Sequence, residues 1–259
     1  MTSTRRDFLL QTAAGALAAT GISTIAEATT NQRTPRVVQT VLGPVDASKL
    51  GFTLTHEHVV PGSRKIFSSR ESSVADAIDK LKAARDAGIN TVVDLTPSEA
   101  GRDVRFVEEV SRRSGVQIVV CTGQRLFTPE LSERTTEELT EFFTREIEQG
   151  IEDTGIKAGV IKAASLSKSV TANEERVLRA AARACKATGV AIETHSNSHL
   201  RGGEKQADIF EAEGVSPARV SIGHSDDTDD VDYLIDLAKR GNQTNKSKTG
   251  VISSTKRIP

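Results

Sequence analysis

The chain has 259 residues, with 34 basic side chains against 35 acidic ones and a formal charge of -1. That balance provides neither a basic groove for a nucleic-acid backbone nor an attraction to an anionic membrane surface, and 37% hydrophobic residues beside 27% charged ones describe a globular chain. Two cysteines, Cys121 and Cys185, are too few for a disulfide scaffold and lack the clustered spacing of a structural zinc site, so any metal must be held by other side chains.

The amino terminus reads as a targeting segment. Arg5 and Arg6 precede a mildly apolar run from Leu9 to Ile25, a twin-arginine export pattern, and Ala26-Glu27-Ala28 supplies a small-x-small cleavage site. Residues 1–28 are therefore expected to be removed on export, leaving the protein periplasmic or membrane-associated. The run falls short of the ~20 predominantly apolar residues that a spanning helix needs.

Strand and helix then alternate. An extended lead-in from Val37 and a turn at Gly43-Pro44 come before a first strand at Phe52–Thr55, and a Ser-rich loop follows over residues 63–73. Ala75, Ile78, Leu81 and Ala84 recur at helical spacing up to Gly88, and Thr91–Leu95 reads as a buried strand. Further strands are predicted at 116–121, 158–163, 190–194 and 219–223. Helices are predicted near 102–113, 135–150, 172–187, 203–213 and 229–240, the last capped by Asp229. About six βα units of this kind predict a parallel sheet covered by helices, either a barrel or a doubly wound sheet. The absence of a glycine-rich phosphate loop after the first strand argues against a dinucleotide-binding domain.

The strand ends hold the chemistry. His56 and His58 close the first strand, where a period of two turns both imidazoles to one side. Lys162, His195 and His224 follow later strands in the same position, so four of the five histidines fall at carboxyl ends that a barrel gathers into one mouth. Such a cluster points to metal binding. A lysine placed there would be pushed toward the neutral amine by burial and by neighbouring cations, and a neutral amine can take up carbon dioxide.

Gly51-Phe52-Thr53-Leu54-Thr55-His56-Glu57-His58 closely resembles the first-strand motif of the bacterial phosphotriesterases (aryldialkylphosphatases) of the amidohydrolase superfamily. The segments Gly150–Lys162 and Ile222–Asp230 are similar to that family's fourth- and sixth-strand regions. The resemblance runs from about Val37 to Gly241 and implies a TIM-type (β/α)8 barrel over residues 29–241 with two divalent ions, usually zinc. By position it assigns His56 and His58 to the more buried ion, His195 and His224 to the more exposed one, and Lys162, as a carbamate, to the bridge between them. It gives Lys162 and His224 the catalytic roles. The implied activity is cleavage of organophosphate triesters by a hydroxide held between the metals, with a lactonase or carboxylesterase on the same scaffold as the alternative. The implied partner is a small-molecule substrate, and a homodimer is compatible with a closed barrel.

Two segments depart from the family pattern. After Cys121-Thr122-Gly123 the chain carries Gln124-Arg125-Leu126-Phe127 where phosphotriesterases have an aromatic pocket wall, and with no Trp in the chain Phe127 is the pocket aromatic. Residues 242–259 are polar and basic and predict a disordered tail, so strands seven and eight are expected to be missing, together with the family's strand-eight aspartate. A third expectation is thus an inactive, truncated product.

Overall fold

The computed structural model describes residues 36–59, 69–125, 133–225 and 227–244. Contacts divide the chain into Met1–Thr34 and Pro35–Pro259, and all described residues belong to the second unit. The predicted signal segment, Phe127 and Asp226 lie outside the described residues.

A hairpin opens the fold, with β1 (Val37–Thr40) antiparallel to β2 (Gly43–Asp46). The turn is at Val41-Leu42, and Gly43-Pro44 begins β2, where Pro44 needs no ladder donor at a hairpin edge. The main sheet is parallel and in sequential order: β3 (Thr53–Glu57), β4 (Thr91–Asp94), β5 (Gln117–Gly123), β6 (Val160–Ala164), β7 (Ile192–His195), β8 (Val220–Ile222) and β9 (Gln243–Thr244). The helices connecting them are α1 (Arg70–Asp86), α2 (Val104–Ser114), α3 (Thr136–Glu148), α4 (Ala172–Thr188), α5 (Gly202–Ala212) and α6 (Val231–Arg240). Among the described residues, no helix is long and apolar enough to cross a membrane.

The sheet is curled. In a flat sheet β3 and β7, four strand spacings apart, would be separated by roughly 19 Å. Yet His56 of β3 lies 3.0 Å from Glu193 of β7, so the strand ends converge as in an incomplete barrel. Alternation sorts the side chains. Ile118, Val120, Ile161 and Ile192 join the helix-facing core, while Leu95, Val119, Cys121 and Val160 form a second cluster inside the curl, joined by Val38 of the hairpin.

Local chemistry sets the helix boundaries. Ser69, Thr135 and Thr171 each form reciprocal capping boxes with the residue three places on, and Asp103 accepts from Phe106 N. The last helix is capped by Asp230, whose carboxylate accepts from Tyr233 N, and not by Asp229. In α1 the buried face is Val74, Ala77, Ile78 and Leu81, one residue out of phase with the predicted Ala75 and Ala84.

The expectation for the tail needs correction at its start. Gln243 and Thr244 pair in parallel with Ser221 and Ile222, giving a seventh strand where a polar tail was predicted. Both residues are exposed, and backbone pairing rather than side-chain burial defines the strand, so no apolar pattern announces it.

Candidate metal centre

The first strand delivers its histidines through an irregularity. Leu54 pairs with Val92 and Glu57 with Asp94, so Thr55 and His56 together stand opposite the single residue Val93. This bulge breaks the simple alternation from Thr53 and re-aims His56 into the curl. Glu57 then returns to the side of Asp94. The predicted relation between His56 and His58 holds, with ring centroids 6.2 Å apart.

Two glycines make room for the mouth. A Cβ at Gly223 would meet Thr194 O at 2.1 Å and His56 Cε1 at 2.8 Å, and one at Gly123 would meet Lys162 O at 1.9 Å. Any side chain at Gly223 would displace the His56 ring, and any at Gly123 would push Lys162 out of line. His224 follows Gly223 with φ 59°, a left-handed conformation uncommon outside glycine, of the kind that clusters at functional sites.

Candidate ligand atoms of His56, His195 and His224 all lie within 4.8 Å of one another. The His195 and His224 rings are 3.9 Å apart between centroids, and His56 is 4.9 Å from His224. His58 stands outside this trio but on the same mouth. Lys162, fully buried, places Nζ 2.9 Å from His56 Nε2. The five residues predicted for a metal centre are therefore gathered at one place.

Each of three histidines has its other nitrogen engaged. His56 Nδ1 donates to Glu193 Oε1 at 3.0 Å, and His224 Nδ1 donates to Asp227 Oδ2 at 3.0 Å. Thr96 donates its hydroxyl proton to Asp94 Oδ1 at 2.6 Å, so in the 2.9 Å contact with His58 it is Nδ1–H that donates to Thr96 Oγ1. A proton fixed on Nδ1 leaves the Nε2 lone pair directed at the cluster, the arrangement typical of metal-ligating histidine. From sequence alone neither Glu193 nor Thr96 belongs to the site, and Asp227 reads only as a loop residue. Glu193 was legible as an acid on the inner face of a strand. Thr96 had no such signal.

Electrostatics keep the nitrogens unprotonated. Burial, followed by the Lys162 charge, holds His56 far below the usual imidazole range and brings His58 down to about 4. Burial and then the neighbouring His224 bring His195 down to about 2. His224 is also lowered by burial, against the opposing effect of Asp227. Lys162 falls to about 8, chiefly through burial and despite Glu193, so a fraction of neutral amine is present near neutral pH. Closely spaced neutral nitrogens in oriented tautomers are a donor set that fits a divalent cation such as zinc.

A curled parallel sheet with its polar cluster at the carboxyl mouth defines an α/β barrel-type protein with its chemistry at the strand ends. The chain belongs to the Phosphotriesterase family, which matches residues 36–256. It is 38% identical over 231 residues to a phosphotriesterase homology protein of Mycobacterium tuberculosis, covering 83% of this chain and 71% of that one. With an aryldialkylphosphatase of Saccharolobus solfataricus it shares 35% identity over 206 residues, 76% of this chain and 66% of the relative. The solved structure of the phosphotriesterase from Mycobacterium tuberculosis superposes with a TM-score of 0.76 at 38% identity, covering 81% of this chain and 70% of that one.

Proposed function

We propose that the protein is a metal-dependent hydrolase of organophosphate triesters, with His56, His58, Lys162, His195 and His224 holding two divalent ions, zinc first among them. The observation that supports this most is the convergence of His56, His195 and His224 within 4.8 Å, in a family with an aryldialkylphosphatase among the relatives. Bound divalent ions lower the pKa of water toward about 7 and polarise a phosphoryl or acyl oxygen. The chain's own groups present and orient the ligands. Glu193, Thr96 and Asp227 hold protons on the outer imidazole nitrogens, and the curl keeps the inner nitrogens in a buried mouth. As a carbamate, formed when its neutral Nζ bonds to the carbon of carbon dioxide and gives up a proton to solvent, Lys162 would offer two ligand oxygens to the ions.

A second reading, hydrolysis of a lactone or carboxyl ester by the same centre, is favoured by Gln124-Arg125, which stand where the family's aromatic pocket wall is expected. The test is an assay of the full chain, reconstituted with zinc and bicarbonate, against a diethyl aryl phosphate and an aryl lactone, alongside His224→Asn. Turnover of the triester that is lost in the variant is expected. Turnover of the lactone alone selects the second reading, and no turnover of either removes both. Export through the twin-arginine route is part of the proposal. Arg5→Lys with Arg6→Lys should retain a longer precursor in the cytoplasm, and sequencing that finds Met1 on exported protein would contradict it.

A further inference from the structure

Val119 and Cys121 face the inside of the curl from β5, and Arg125 follows just past the end of that strand. The backbone here is clamped. Gln124 N donates to Lys162 O at 3.0 Å, and Arg125 N donates to Glu99 Oε1 at 2.6 Å, so Arg125 stands beside Lys162 at the mouth. Its Nε is buried with no hydrogen-bond acceptor, as is that of Arg102, but among the described residues no carboxylate pairs with the Arg125 guanidinium. Its charge reaches the cluster, contributing with burial to the lowered pKa values of His58, Lys162, His195 and His224.

A cation in this position needs an explanation. Arg102, behind the same strand, is paired with Glu146 through both terminal nitrogens. Arg125 has no such side-chain pair among the described residues: the Glu99 carboxylate accepts its backbone N–H, and toward the mouth its charge faces histidine and lysine nitrogens. A buried guanidinium N–H without an acceptor is unfavourable unless something supplies one, and a planar carboxylate or sulfonate matches its fork.

We infer that Arg125 is a specificity-determining residue that binds an anionic group, carboxylate or sulfonate, on a substrate whose scissile bond lies over the histidine cluster. The inference rests on the hydrolase reading for the bond that is cut, but the anion site does not depend on it.

The test compares full-length wild type, Arg125→Gln and Arg125→Lys, each loaded with zinc in bicarbonate and checked for folding by circular dichroism. Two esters differing in one terminus are assayed, 4-nitrophenyl butanoate and mono-4-nitrophenyl succinate. Binding of butane-1-sulfonate is followed separately by nuclear magnetic resonance line broadening. Arg125→Gln should lower the ratio of kcat/KM for the anionic over the neutral ester by about 10- to 100-fold, the range for a charge-assisted hydrogen bond, and should abolish sulfonate binding. Arg125→Lys, which keeps the charge but loses the fork, should lower the ratio less. An unchanged ratio in Arg125→Gln, or sulfonate that binds neither protein or both equally, overturns the inference. If neither ester is cleaved, the sulfonate measurement alone decides the role of Arg125, while the triester and lactone assays decide the hydrolase reading.

Discussion

Two buried polar clusters flank β5 and β6, and they solve the problem of burial in opposite ways. Behind β5, Arg102 donates to both oxygens of Glu146 and to Cys121 O, while Thr122 donates to Glu146 Oε2. Each charge there has an opposite charge and a set of hydrogen bonds, and the group ties the loop before α2 to β5 and α3. Inside the curl, Lys162 and four histidines meet against two carboxylates, Glu193 at His56 and Asp227 at His224. Burial there is tolerated by shifting protons, which leaves neutral nitrogens. The first cluster pairs its charges within the chain and acts as a lock. The second is arranged to accept a cation, and this contrast separates a structural ion pair from a site.

Breaking the lock should have the largest effect on stability. Glu146→Ala leaves the buried Arg102 charge with only the more distant Glu152 carboxylate at 3.4 Å, and breaking a buried pair in this way typically costs ~3–5 kcal/mol. Urea unfolding should register a loss of that order. In the mouth, Thr96→Val should barely change urea stability but weaken zinc binding by ~10- to 100-fold, because His58 loses the acceptor that fixes its tautomer. Thr96→Ser should retain most of the affinity, and equal affinity in Val and wild type would remove Thr96 from the account.

A smaller effect concerns the outward-facing pair behind the mouth. Burial and then the adjacent Asp94 raise Glu57 to about 7, and burial raises Asp94 to about 6. A carboxyl whose folded pKa lies above its unfolded value stabilises the fold while protonated in both states. That contribution is lost as pH rises from about 4.5 through about 7. The histidines have the opposite sign, since depressed values make stability fall as pH drops below 6.5 toward about 4 for His58. Glu57→Gln should therefore gain stability relative to wild type at pH 8 and show little gain at pH 4, measured by unfolding in the presence of a chelator. A pH-independent difference would contradict this sign.

Much of the mouth was legible because its ligands are histidines at strand ends and a lysine at the end of a Val-Ile run, positions that a parallel curled sheet gathers without further information. The bulge at Thr55-His56 was not, since it depends on the register against Val93 and leaves no compositional mark. Nor was β9, which is defined by backbone pairing to Ser221 and Ile222 while its own side chains stay exposed. The acid of Glu193 stands out on the inner face of its strand, but its role, like that of Thr96, does not. A single acid or hydroxyl in a strand or loop acquires meaning only when its partner, His56 137 residues away or His58 38 residues away, is placed beside it.

The proposed centre inside the curl holds two ions bridged through Lys162. Its most direct test is the zinc content of the full chain after reconstitution and dialysis, in bicarbonate buffer and in carbon-dioxide-free buffer, for wild type and Lys162→Ala. The wild-type chain should retain close to two ions in bicarbonate, with tight binding lost both without carbon dioxide and in the variant. Equal zinc content under all of these conditions would contradict it.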